Sequence, residues 1–190
     1  MSADFAAQRA NMVESQVRVA DVTDHAIQDA MGLVEREALL APAGRYLAYA
    51  DVELEYAPGR WLLKPRDVAK LLQALRPRRG ERALAIAAPY AAAVLEVIGL
   101  DVRRFDGGDL RALPGGGYDL VVCEGAVARP PPEWTAALGA GGRLGLVERD
   151  GPVGRARLYL RSGPGVGCRD LFDATPPVMA GFEPVRGFAF

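Results

Sequence analysis

Glycine is missing where an α/β enzyme most often needs it. The stretch "ALAIAAPYAAAVLE", Ala83 to Glu96, reads as a strand, a tight turn and a helix start, and the turn holds no glycine. Other scarcities narrow the field. The two cysteines, Cys123 and Cys168, stand in different contexts, which excludes a metal quartet and a disulfide framework. Cys123 lies in the apolar run "YDLVVCEG" and reads as a buried thiol. The single histidine, His25, falls at a helix start, off the apolar face, and reads as a solvated side chain and not a general base. A formal net charge of −1 supplies no field to draw the chain to nucleic acid or an anionic membrane. No apolar run approaches the ~20 residues of a membrane span. The N-terminal stretch is polar and mixed in charge, unlike a signal peptide, so the cytoplasm is the expected compartment.

What is present is an α/β pattern. Half of the 190 residues are hydrophobic and a quarter charged, enough for one domain with a sizeable core. Phe5, Met12, Val13 and Val17 recur at helical spacing. Thr23 is placed to cap a second helix, with Asp24 in its first turn, and Ile27, Ala30, Met31 and Val34 form its buried stripe. A looser aromatic stretch carries Tyr46, Tyr49, Tyr56 and Trp61. Pro65 suits the first turn of a helix whose stripe is Val68, Leu71, Leu72 and Leu75. Arg76, Arg78, Arg79 and Arg82 beside Glu81 read as a solvated turn, with phosphate or acidic-partner docking as the sharper alternative.

From Gly80 the order becomes strand–helix–strand–strand–helix–strand, with an extended tail. This implies a largely parallel sheet covered on its faces. Gly139, Gly141 and Gly142 are expected to stop the second of these helices, and Gly115 to Gly117 to form a turn before a strand. The organisation expected is one domain over 1–190: an N-terminal helical part over 1–62, a Rossmann-like core over 63–150 and C-terminal strands over 151–190. Glu124 falls at the end of "DLVVC", where ligands bind in such sheets. It either serves there or caps the loop. Tyr90, after the turn, is a packing tyrosine or a ligand contact.

The segments "NMVESQVRVADVTDHAIQDAMGLVERE", "AYADVEL", "PRDVAKLLQAL", "YAAAVLE", "GDLRALPGGGYDLVVCEGAV" and "LGAGGRLGLVE", in this order, resemble bacterial protein-L-isoaspartate O-methyltransferases. So does the tail "LFDATPPVMAGFEPVRGFAF". The resemblance implies a class I, Rossmann-like methyltransferase fold and transfer of a methyl group from S-adenosylmethionine to an isoaspartyl carboxyl. The fold would be shortened by about one helix/strand unit, since only "GLDVRRFDGGDL" separates the first core helix from the later segment.

Three departures from the family pattern shape the functional expectation. Family members run from a strand with an acid into a Gly-x-Gly-x-Gly turn. Here the acid position is Ala85, and "AAP", Ala87 to Pro89, replaces the glycines. The family's ribose-binding acid aligns with Asp106 in one alignment. In the favoured one, "FDGGDL" belongs to the later segment and no such acid remains. A serine of the family's substrate side is replaced by Leu63. The expectation drawn from these departures is a catalytically inactive relative acting through another protein or ligand. Ala85, Ala87, Pro89, Tyr90, Asp106 and Glu124 would then be vestigial positions, with no cofactor and no metal. The alternative is an active S-adenosylmethionine-dependent protein-L-isoaspartate carboxyl O-methyltransferase.

Overall fold

A computed structural model describes residues 4–184. The final residues of the family-like tail, 185–190, lie outside them. The centre is a six-stranded sheet in the order β4-β3-β5-β6-β7-β8. Strands β3 (Arg82–Ile86), β4 (Asp101–Phe105), β5 (Tyr118–Val127) and β6 (Leu138–Glu148) run parallel. β7 (Gly154–Ser162) and β8 (Gly165–Ala174) extend the sheet antiparallel. The expected alternation of strands and helices from Gly80 onward is what the chain builds, and the mixed α/β sheet is the class I methyltransferase type.

The central strands are apolar on both sides because both faces are covered. Residues one apart along a strand enter different cores. Ala83, Ala85, Leu120 and Val122 join the larger core with α1 (Phe5–Met12), α2 (His25–Leu33), α3 (Pro65–Leu75) and α4 (Pro89–Ile98). Leu84, Ile86, Val121 and Cys123 join the smaller one. That smaller core is closed by Leu110 and by Trp134 of the short α5 (Pro132–Ala136), with Met179 and Phe182 from the C-terminal segment. Trp134 also donates its indole N–H to the Leu110 carbonyl at 2.8 Å. The shortening of the chain leaves this face thinly covered, and loop and tail residues take the place of a helix.

Three sequence expectations need correction here. The cap of α2 is Asp24, whose carboxylate accepts from Ala26 and Ile27, while Thr23 binds Gln73 of α3. Gly139, Gly141 and Gly142 do not stop α5; they lie inside β6. A Cβ on Gly142 would stand 2.6 Å from the Tyr118 carbonyl and one on Gly139 3.3 Å from the Gly117 carbonyl, so these two glycines serve a close approach of β6 to the start of β5, while Gly141 takes a φ of 72°. Residues 1–62 are not helical throughout. Residues 54–62 form a hairpin, β1 (Leu54–Ala57) and β2 (Arg60–Leu62), paired antiparallel. Its turn is Pro58–Gly59, and Gly59 takes a φ of 67° while packed against Ala180.

His25 and the Arg76, Arg78, Arg79 and Arg82 run are exposed, as expected of solvated groups. Glu81 pairs with Arg143 of β6 at 2.8 Å.

Asp24→Ala is expected to lower stability by about 1 kcal/mol through loss of the cap. Thr23→Ala should cost clearly less. Urea denaturation of the two variants measures the difference.

Candidate methyl-donor site

The turn after β3 is a local problem that the rest of the chain solves. Ala88 precedes α4 with no side chain able to cap it, and Pro89 at the first helical position has no N–H to give. The helix N-terminus therefore takes its acceptor from elsewhere. Glu124, at the carboxyl end of β5, receives the Ala91 N–H on Oε1 at 2.8 Å. Its other oxygen, Oε2, receives the Leu63 N–H at 3.1 Å. One carboxylate thus joins the start of α4 to the chain leaving the β1–β2 hairpin.

This carboxylate has no accessible surface. Burial pushes it up to about 7, against the opposing pull of Arg36 and of the backbone N–H groups of Ala91, Leu63 and Tyr90. Arg36 is fully buried as well. Its guanidinium donates to the carbonyls of Ala48 at 2.8 Å and Leu63 at 2.6 Å, and stands 4.6 Å from the centre of the Tyr90 ring. Arg36 Nη1 and the Tyr90 hydroxyl have no hydrogen-bond partner. Sequence reasoning overlooked Arg36: an arginine in "LVEREAL" carries no motif, and its burial follows only from the tertiary path of the hairpin.

The turn itself keeps a glycine-like path without glycine. Ala87 adopts a φ of 45°, the left-handed region, at a cost of about 1 kcal/mol for an L-residue with a side chain. Its N–H donates to the Phe105 carbonyl at 3.0 Å, which ties the turn to β4. Ala85, Ala87, Ala88 and Tyr90 are all buried.

Asp106 requires the largest correction. The favoured alignment assigns "FDGGDL" to the later segment and leaves no ribose acid. In the structure β4 pairs in parallel with β3, from Arg82 opposite Asp101 to Ile86 opposite Phe105. Asp106 then stands at the carboxyl end of the strand that follows α4, beside the turn. Residues 107–109 that follow are exposed, and Leu110 packs into the smaller core. Asp106 is exposed, and the Tyr56 hydroxyl of the hairpin is 3.5 Å from its Oδ1. Partial burial raises its carboxyl, while Arg104, Tyr56, Ala88 and Arg60 pull the other way.

Leu63 is fully buried, so its side chain offers nothing to a substrate. Cys123 is buried too, and its thiol is pushed up by desolvation.

Proteins of known name fit this geometry. A Rhodopseudomonas palustris (strain HaA2) protein-L-isoaspartate O-methyltransferase 1 is 34% identical over 199 aligned positions, 89% of this chain and 81% of its own length. The chain belongs to the protein-L-isoaspartate O-methyltransferase family. A second R. palustris member, from strain CGA009, is 32% identical over 70% of this chain and 74% of its own length. A Methylorubrum populi member is 42% identical, over 49% of this chain and 45% of its own. No protein-family model matches the chain.

Two solved structures of that family name share the fold. One superposes with a TM-score of 0.74 at 20% identity, covering 92% of this chain and 67% of the other. The second, from Plasmodium falciparum, is a complex with S-adenosyl-L-homocysteine. It superposes with a TM-score of 0.74 at 12% identity, over 90% of this chain and 97% of the other.

These relationships overturn the expectation of an inactive family member. Proteins named for the transferase align along most of the chain. The companion expectation of no cofactor loses its ground with it. No described helix is long and apolar enough to cross a membrane.

S-adenosylmethionine fits part of the site as it stands. Asp106 presents an exposed carboxylate at the strand end, suited to two adjacent ribose hydroxyls, and the left-handed Ala87 keeps the turn folded back toward β4. The rest of the turn and the start of α4 are covered by the hairpin.

The raised Glu124 carboxyl fixes the sign of a pH effect. The folded protein holds this proton more tightly than the unfolded chain, so the contribution to stability is complete below about pH 4.5. It is lost as pH rises to about 7, and amounts to about 3 kcal/mol at most. Stability of wild type relative to Glu124→Gln is expected to decline over this window. Denaturant titrations at pH 5, 6, 7 and 8 check it, and parallel curves for the two proteins would contradict it.

Proposed function

We propose that the chain is an S-adenosylmethionine-dependent methyltransferase of the cytoplasm acting on the side-chain carboxyl of isoaspartyl residues in proteins. The observation that carries this reading is Asp106 at the end of β4, beside the turn, in a chain whose relatives bear the name of that activity. When bound, S-adenosylmethionine supplies an electrophilic methyl group on a sulfonium.

The chain's own task is to hold and enclose. Asp106 would accept hydrogen bonds from the ribose hydroxyls, and the turn at Ala87 and Ala88 would border the donor. Arg60 of the hairpin acts on Tyr56, Asp106 and Cys123, which places a cation at the mouth of the site where an anionic acceptor carboxyl arrives. Tyr56 and Arg60 are the polar groups the hairpin offers to that acceptor, in place of the serine that Leu63 replaces. No side chain is needed as a strong base, because the acceptor is a carboxylate already ionised at neutral pH. Direct displacement gains its rate from alignment and water exclusion.

Methyl transfer to a synthetic isoaspartyl peptide, with the aspartyl isomer as control, tests this function directly. Wild type is expected to label only the isoaspartyl form. Asp106→Ala should weaken S-adenosylmethionine binding by tenfold to about a hundredfold, the loss of charge-assisted hydrogen bonds. Absence of both labelling and calorimetric binding in the wild-type chain would refute it.

A further inference from the structure

The base of the β1–β2 hairpin is anchored by Leu54 and Leu62 in the larger core, and its tip makes few polar contacts with the carboxyl end of the sheet. Its first strand reaches Asp106 only through the long Tyr56 contact of 3.5 Å. Arg60 Nη1 reaches the Ala180 carbonyl at 3.3 Å. Gly59 lies against Ala180, and a Cβ added there would stand 2.6 Å from the alanine Cβ. The short contacts are at the other end, where the chain leaves the hairpin. There the Leu63 N–H is held by Glu124 and the Leu63 carbonyl by Arg36. At the foot of the hairpin Ala88 and Glu124 have no accessible surface: Ala88 shares the larger core with Leu54 and Leu62, and Glu124 is bonded to Leu63. A donor that touches the turn cannot enter while the hairpin stays down.

We propose that the hairpin 54–62 is a hinged cover over the donor site, and that Glu124 is the positioning residue that latches the cover to the first turn of α4. The claim that a donor enters beneath it rests on the function proposed above. The cover and its latch rest on the contacts alone.

The latch has an intrinsic polarity. Lifting the hairpin removes the Leu63 N–H from Oε2 and admits water to a carboxylate that is otherwise dry. Water favours the ionised form. The closed state therefore holds the Glu124 proton more tightly than the open one, and rising pH drives opening. The groups that face Glu124 are Arg36 from the 3-10 turn Arg36–Leu39, Tyr90 from α4, Tyr56 from β1 and Cys123 from its own strand. Arg60 of β2 and Asp106 after β4 act in turn on Tyr56 and Cys123. Burial pushes Tyr90, Tyr56 and Cys123 upward, so none of the three ionises between pH 5.5 and 8. Within that range Glu124 is the group of this cluster whose proton couples to the cover.

Two unpartnered groups beside Glu124 agree with this. Arg36 Nη1 and the Tyr90 hydroxyl are buried and unbonded while the cover is down. An unbonded buried polar group is destabilising, a penalty that opening to water relieves. The closed form is thus held against an internal opposition, the condition for a cover that moves.

Amide hydrogen exchange followed by mass spectrometry tests the proposal on the intact chain without ligand. After correction for intrinsic exchange, protection of peptides spanning 54–63 is expected to fall about tenfold between pH 5.5 and 8, while β5 and β6 keep theirs. Glu124→Gln should remove the pH dependence of that segment. If the variant does not fold, the wild-type series alone decides. Protection that is constant with pH, or that is lost equally from the central strands, overturns the cover. Adding S-adenosyl-L-homocysteine separates the two proposals. A cover that opens with pH in a chain that binds no ligand supports the latch and refutes the donor-site function. Tight binding with the 54–63 amides unchanged at every pH overturns the latch and leaves the function standing.

Discussion

A single buried carboxylate organises the carboxyl end of this sheet. Glu124 meets two demands that the sequence creates elsewhere. Ala88 and Pro89 leave α4 without a local cap, and the chain leaving the hairpin at Leu63 has a backbone N–H to place in a dry interior. Each N–H would be costly to bury alone. Both are satisfied by one side chain at the end of β5, and Arg36 lends that side chain its opposing charge. The closed shape of the donor site follows from this arrangement: with the hairpin tied down at its exit, the turn after β3 is roofed and Asp106 is left at the open margin.

The loss of glycine from the turn has a smaller effect than its chemistry alone implies. Alanine at 87 takes the left-handed backbone that a glycine would take more cheaply, and the turn still reaches the Phe105 carbonyl. The added methyl groups are buried, Ala87 in the smaller core and Ala88 in the larger one, and not aimed into open space. The substitutions that look like damage when read along the chain are consistent, in three dimensions, with a turn that is stored covered.

The fold was largely legible in the residues. Period-3.6 stripes marked α2 and α3, and the short apolar runs flanked by Gly and Pro marked β3 and β5. These elements are dictated by burial, which repeats along the chain. The hairpin over 54–62 was not legible. Its strands span four and three residues with a bulge between them, and the aromatics there suit a loop equally well. The capping roles were misplaced by one residue at Thr23 and Asp24, since both side chains can cap. Gly139, Gly141 and Gly142 resemble a helix stop because the close approach that needs Gly139 and Gly142, β6 against β5, joins segments about twenty residues apart. At the site, Glu124 was recognisable from its place after an apolar strand. The place of Asp106 beside the turn was not legible, because it follows from the parallel pairing of β4 with β3, which a linear alignment does not show. Arg36 was invisible, because no local pattern foretells a buried guanidinium.

The account as a whole comes down to where a methyl donor meets this chain, and a crystal structure grown with S-adenosyl-L-homocysteine answers that most directly. The prediction is a ligand whose ribose hydroxyls bond Asp106, lying against Ala87 and Ala88, with the hairpin displaced and the Leu63–Glu124 hydrogen bond broken or lengthened. A ligand bound elsewhere on the molecule, or an Asp106 carboxylate that makes no contact with it, would contradict the account.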